Sequence, residues 1–484
     1  MNADKPITSS EIIQSLIQAN NRTKMSTEIN YFNTDDEVIM AKETNDFTYT
    51  NKIPSAFYPD ICRQTANYVV GKKVTISGLK NDKTIDPNDF LTELATNAAK
   101  VGIAWLYLYV EEGKLKNKVI DSYEILPIWD TNFQDTLVQL IRYYKVEVVT
   151  DKGANIRTRV ECWDSEKVVY YIEDEKGILG LDFIFALEAI QYHITTSSYV
   201  LDNIVSKTEQ GWGMVPFIPL KFNRELKSEL TTCVKALIDA YDGNISSHQD
   251  NLDAVQDAIL LIKNRSAEAY EDLMFKLKKY KALKVDDTGD AKYLSLDYPF
   301  EARKSAKDDI KEDLYNYARA VDISKLTKGG GQLTTAFIEA LFFKLDQKGD
   351  EFIKQINIFL YLLYNFVNIF RTKVSGEEAE NVEELDFIYD KSRPGNIAEN
   401  VTTANSCKDI VSLRTMLEHH PFVTDVDEEI ARIESDEQQY LDTQGGGVDG
   451  NPNNADLQKP GNGLSENSQP QESSNLNGQG NNQT

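Results

Sequence analysis

Cysteine is scarce in this chain of 484 residues: Cys62, Cys162, Cys233 and Cys407 stand far apart, with no Cys-x-x-Cys pair. That spacing indicates neither a zinc site nor a disulfide framework, and it fits reduced, partly buried thiols in a cytosolic setting. Histidine is as sparse, and no phosphate loop, H-E-x-x-H or G-x-S-x-G motif is present, so the chain offers almost no enzyme chemistry. Positive charge is in deficit, with 52 basic against 77 acidic residues and a net charge of −25. Such a balance excludes a protein that grips nucleic acid through a broad basic surface, but not one that surrounds DNA without holding it. The plain role of the acidity is solubility. Long hydrophobic runs are missing too. The most apolar stretch, Ile356 to Phe370, contains Asn357, Asn365 and Asn368. It falls short of the roughly 20 apolar residues a membrane span needs, and predicts a buried core helix. Met1 to Lys5 lacks a basic region followed by an apolar one, so no signal peptide is expected.

What is present is enough to build cores: 41% hydrophobic and 10% aromatic residues, over a length suited to about two to four domains. The segment from Leu226 to Arg371 organises the rest. Leu230, Val234, Leu237, Tyr241, Ile245, Leu252, Val255, Ile259 and Ile262 recur mostly at spacings of three and four, with His248 in the same phase. They predict one helical rod of roughly 50 Å, locally weakened by Gly243. Ala302, Ala306, Ile310, Leu314, Tyr317 and Val321 form the stripe of a second helix. Gly329, Gly330 and Gly331 break it, because glycine loses the most backbone entropy on ordering. A third helix is expected from about Leu333 to Arg371.

Upstream, Ser9-Ser10-Glu11 marks a helix start, a second helix covers Phe57 to Val70 with Gly71 as its stop, and another follows Asp86-Pro87-Asn88. From Ile103 to about Phe222 the pattern turns to strands. The aromatic and β-branched runs 104–110, 141–149, 160–163 and 168–172 are separated by turns such as Glu112-Gly113 and Asp151-Lys152-Gly153, which predicts an antiparallel meander. Between the first two rods, residues 264–300 hold a short basic helix and a hairpin of Ala282–Val285 with Ala291–Leu296. This small insertion should protrude from one end of the helical pair. After the third helix, Glu384 to Tyr389 reads as one strand and 397–440 as two or three helices. The last 44 residues have no aromatic residue and carry a net charge of −4, with five acids against one lysine; this tail is expected to be disordered.

Few residues suggest ligand chemistry. His248 lies on the apolar stripe, as a hydrogen-bonded core or interface histidine does. His419-His420 before Pro421 fits a helix C-terminus, where positive charge is favoured. Lys328-Gly329-Gly330-Gly331 precedes a helix, an arrangement that can cradle phosphate, but the rest of a nucleotide motif is absent. Acid pairs such as Asp308-Asp309 and Glu428-Glu429 fit solvated helix faces. No catalytic residue, metal site or cofactor is expected.

Several stretches in a fixed order carry a resemblance. They are Ile53-Pro54, then Asn67-Tyr68-Val69-Val70-Gly71-Lys72; Glu124-Ile125-Leu126-Pro127-Ile128-Trp129-Asp130, then Ile141-Arg142-Tyr143-Tyr144; Trp212-Gly213-Met214-Val215-Pro216-Phe217-Ile218-Pro219, then Leu237-Ile238-Asp239-Ala240-Tyr241-Asp242; and Thr415, Pro421-Phe422-Val423-Thr424-Asp425 with Glu428, Glu429 and Glu434. Together they span most of residues 50 to 440. In order and spacing the chain resembles the portal proteins of tailed bacteriophages, of the SPP1-like type. It departs from that pattern at Gly331-Gln332-Leu333-Thr334-Thr335-Ala336, where relatives have a Ser-Gly-x-Ala-like helix start, and at Asn264, where they tend to have glycine.

The resemblance implies an α+β portal fold. Residues 1–227 would form an antiparallel β-rich wing, 228–263 the first stem helix and 264–300 a small α/β clip. Residues 301–321 would form the second stem helix, 322–335 a tunnel loop, 336–396 a long kinked helix with a strand returning to the wing, 397–440 a helical crown and 441–484 the tail. It also implies a homo-oligomeric ring of about twelve subunits at one capsid vertex of the virion, assembled in the host cytoplasm, with no membrane partner. Double-stranded DNA would pass through it. The partners would be the terminase large subunit, the major capsid and scaffolding proteins, and a head-completion adaptor. A DNA-packaging motor enzyme and a coiled-coil head or adaptor protein remain alternatives. On the ring reading, Leu237, Tyr241, Ile245, Leu252, Leu314 and Tyr317 of the stem would meet neighbouring subunits. Lys276, Lys278, Lys279 and Lys281 of the clip would dock a partner. Lys325, Lys328 and Gly329 to Gly331 of the tunnel loop would touch DNA, while Asp308, Asp309, Glu312 and Asp313 supply part of an acidic lining.

Overall fold

A computed structural model describes residues 7 to 445 except 8, 44–49, 79–83, 131–135, 151–152, 184, 186–187, 201–202, 257–258, 264–278, 280–289, 295–299, 329–333, 395–400, 403–405, 407–409, 419, 421–422 and 424–425. The chain divides into two units, Met1–Asn396 and Ile397–Thr484. In the first, α1 (Ser10–Ala19), α2 (Thr23–Phe32) and α3 (Glu37–Met40) precede α4 (Phe57–Val70) and α5 (Leu91–Val101). Gly102 ends α5 at φ +87°, and a Cβ there would lie 2.3 Å from the Leu226 carbonyl oxygen, so only glycine fits. The strand region forms two main antiparallel sheets. One orders the strands Phe217–Lys221, Ile103–Glu111 and Lys114–Ile120. The other has six strands and runs from β1 (Ile125–Trp129) through β2 (Leu137–Thr150), β3 (Gly153–Trp163) and β4 (Lys167–Glu173) to β5 (Leu179–Leu181), with β6 (Ile190–Tyr192) also on β4. The predicted meander is therefore present, and the molecule is a mixed helix-and-sheet protein.

Three long helices follow the sheets in the first unit. They are α6 (Thr232–Gln256), α7 (Phe300–Tyr317) and α9 (Thr335–Phe370); the short α8 (Ser324–Lys328) sits between the last two. The helix α9 has 36 residues, about 54 Å, and runs without a break. Thr334 caps it by accepting the Phe337 amide. Most of its apolar half is core, with Ile356, Phe359, Leu360 and Leu363 each 0% exposed, but Ile358 is 53% exposed, so this half is not buried on every side. Among the described residues no helix is long and apolar enough to cross a membrane. A strand, Asp386–Ile388, returns to pair with Thr75–Ser77. The second unit contains α10 (Leu413–Glu418) and α11 (Val426–Gly445), the latter running five residues into the segment expected to be tail. The remaining tail lies outside the described residues.

Two helix ends differ from the sequence reading. The first rod stops at Gln256, and Ile259–Lys263 is a strand paired with Asp290–Leu294. Ile259 and Ile262 kept helical phase by coincidence: Ile259-Leu260-Leu261-Ile262 is a continuous apolar run, which periodicity alone does not separate from a strand. The hairpin expected of 291–296 thus takes its partner from 259–263, and Ala282–Val285 lies outside the described residues. The second rod ends at Tyr317 instead of Val321, with Arg319 at φ +50°. Beyond it, Gln64 holds Val321 from both sides, accepting its amide at 2.8 Å and donating to its carbonyl at 2.9 Å.

Candidate functional site

The helices α6 and α7 pack together as a hairpin. Phe57 of α4 wedges between them, edge-on to Tyr241 at 4.8 Å and to Tyr315 at 5.8 Å. This wedge decides where the expected stem residues point. Leu314 is 0% exposed, buried in the subunit's own core, so its place on the stripe is not a contact with a neighbour. Leu237 is half-buried against the same core, and Tyr241 is half-buried under Phe57. Ile245 lines a groove of about 310 Å³ with Phe300, and there His248 lies beside the Phe300 ring at 5.5 Å. Tyr317 and Leu252 are the stem positions left open, 61% and 36% exposed.

The acids Asp308, Asp309, Glu312 and Asp313 of α7 are all exposed. The segment after α7 folds back on this charged helix. Lys311 reaches Asp322 at 2.9 Å, and Lys325 reaches Glu312 at 2.8 Å. Burial acts to raise the Asp322 carboxyl's pKa, but Lys311 and the Ser324 hydroxyl and amide outweigh it and hold the group below the usual carboxylate range. Lys325 was expected in an irregular loop; it sits instead on α8, with its charge already matched. Lys328 ends that helix, while Gly329 to Gly331 lie outside the described residues. Of the four clip lysines, Lys279 is helical and exposed; Lys276, Lys278 and Lys281 lie outside the described residues.

Where the hairpin meets the sheets, a cleft of about 690 Å³ is lined by Arg224, Lys227, Arg319, Lys354 and Glu351 among others. At its floor is an ion pair that the sequence did not signal. Lys348 of α9 donates to Glu229 Oε1 at 2.7 Å and to the Ala318 carbonyl at 2.8 Å. Thr65 of α4 donates to the same carboxylate oxygen at 2.7 Å. One buried ion pair thus ties α4, α9 and the end of α7 together. Its sequence neighbours Asp346, Gln347, Gly349 and Asp350 gave no hint of burial, because the partner lies 119 residues away. Among the described residues no group of three or more His, Cys, Asp or Glu side chains is placed to hold a metal ion.

Comparison with known proteins places this geometry. Residues 16–442 match the family described as phage portal protein, SPP1 Gp6-like. The portal protein of Bacillus phage SPP1 is 26% identical over 471 residues, covering 93% of this chain and 90% of the relative. The portal protein of Clostridium phage phiCD119 is 23% identical over 413 residues, covering 78% and 83%. Among solved structures, a chain from the neck of a native GTA particle computed with C12 symmetry aligns with a TM-score of 0.39 and 11% identity, over 86% of this chain and 94% of that one. The match over 16–442 spans the sheets, the helical hairpin and the long helix, and the chain belongs to the SPP1 Gp6-like family of phage portal proteins.

Proposed function

We propose that this portal protein is the subunit of a closed ring of about twelve copies at one capsid vertex, through which double-stranded DNA is packaged, retained and ejected. The family match over 16–442 carries this reading. The hairpin supports it: Tyr317 and Leu252 of the stem set remain open, 61% and 36% exposed, and Phe300 at the start of α7 is 49% exposed. A head-to-tail contact through such positions generates a ring when the rotation closes. The acidic body suits a conduit, because many lysine–phosphate contacts would bind DNA tightly and stall it. Negative-stain images of the purified chain with rotational averaging test the ring; a sample of monomers and open filaments counts against it.

The lysines divide into two working sets. The clip, with Lys276, Lys278, Lys279 and Lys281, docks the terminase large subunit or the head-completion adaptor. The segment 322–335 touches phosphates through Lys325 and Lys328, with Gly329 to Gly331 as its hinge. Lys325 is shared with Glu312 in an exposed pair, worth about 0.2–1 kcal/mol, so it can exchange that partner for phosphate at little cost. The variant Lys325→Glu with Lys328→Glu is expected to form rings, melt close to the parent, and package DNA more slowly. Reversal of the four clip lysines is expected to weaken terminase pull-down instead. Normal packaging by the first variant would reduce 322–335 to a connector.

A further inference from the structure

Residues 31–43 and 50–53 of the N-terminal segment meet one face of α6 and serve it as a strap. The Tyr31 hydroxyl donates to Asp239. The Ile53 amide donates to the Ser246 hydroxyl at 3.1 Å. Asn51 donates its backbone amide to Asp250 Oδ1 at 2.6 Å and its side-chain amide to Asp253 Oδ2 at 2.9 Å. Positions 239, 246, 250 and 253 follow one another by seven, four and three, the spacing of a single helix face.

One joint in this series lacks a donor. Asp36 and Asp242 meet there, 1% and 0% exposed. No N–H or O–H among the described residues reaches any of their four carboxyl oxygens. Asp36 stands at the N-cap position of α3, where its side chain would ordinarily accept an amide; it makes no such bond and faces Asp242. Two carboxylates side by side away from water cannot both stay ionised. We infer that a single proton bridging Asp36 and Asp242 latches the strap onto the stem helix, and that losing this proton releases the strap.

The surrounding charges favour such a latch. Tyr31 on α2, Glu37 on α3, and Lys235, Asp239 and Tyr241 on α6 are the titratable groups that interact with the pair or its immediate neighbours. Burial, then Asp242 and Asp239, push the Asp36 carboxyl up to about 8. Lys235 alone opposes them, and its ammonium is engaged by Asp239 at 3.0 Å. The seated strap holds a proton that the released strap gives up. Release therefore becomes easier by up to about tenfold per pH unit between the ordinary carboxylate range and about 8, then levels off. The latch belongs to the single subunit and does not depend on the ring.

Hydrogen–deuterium exchange on the full chain at about pH 6 and about pH 8, corrected for the intrinsic pH dependence of exchange, tests this. Peptides from 31–43 and 232–250 are expected to open at least about tenfold more at the higher pH. Asp36→Asn and, separately, Asp242→Asn supply a permanent amide donor, so both are expected to stay protected at both pH values. Tyr31→Phe removes a neighbouring bond without touching the proton, and is expected to raise exchange at both pH values while keeping the slope. A flat wild-type response overturns the latch, as does a wild-type slope in both Asn variants. Restored protection at the higher pH on adding Ca2+ alone would assign the joint to a cation and overturn the proton.

Discussion

Lys348→Met is expected to lower stability by about 3–5 kcal/mol, the usual cost of leaving one partner of a buried ion pair without the other. Both side chains are only 7% exposed. Methionine matches the lysine stem in length, so the packing around α9 is largely kept and the lost charge dominates. The orphaned Glu229 carboxylate would keep the Thr65 hydroxyl and no cation, and the Ala318 carbonyl would lose its donor just after α7. Urea unfolding followed by tryptophan fluorescence should show the midpoint falling. Adding Glu229→Gln should recover much of the loss, because the uncompensated charge goes with it. An unchanged midpoint for Lys348→Met would mean that the anchor between the hairpin and the sheets lies elsewhere.

Periodicity made the long helices legible, and alternation bounded by turns made the sheets legible, since both follow from which side chains must leave water. Phe57–Val70 was readable to the residue, because an aromatic helix start and Gly71 bracket it. Local pattern failed where it was degenerate. Ile259-Leu260-Leu261-Ile262 satisfies both a helical stripe and a strand, and only its pairing with Asp290–Leu294 decides. It failed again where partners are distant. Nothing local marks Asp239, Asp242, Asp250 and Asp253 of α6 as partnered, yet they meet a segment some 200 residues earlier in the chain. Of the candidate stem residues, the stripe identified the apolar positions correctly but not which surface covers each. Leu314 went to the core and Tyr317, three residues on, to the surface.

That last difference sets the variant that tests the ring. Asp substitutions at Leu237 and Tyr241 strike residues packed on the subunit's own core and on Phe57, so they are expected to lower the melting temperature of the subunit itself. Tyr317→Asp with Leu252→Asp instead changes the two open positions of the expected stem set, leaving the hairpin's internal contacts in place. In a ring each subunit meets two neighbours, so every copy loses contact on both sides. Burying a large apolar side chain is worth about 1.5–3 kcal/mol, and a carboxylate in its place adds a desolvation cost and repulsion in an already acidic assembly. The expected outcome is a folded monomer, with a melting temperature and far-ultraviolet circular dichroism near those of the parent subunit and a monomer mass by size exclusion with light scattering. Intact rings from this double variant would show that neighbouring subunits meet through another surface, even though the chain is a portal protein.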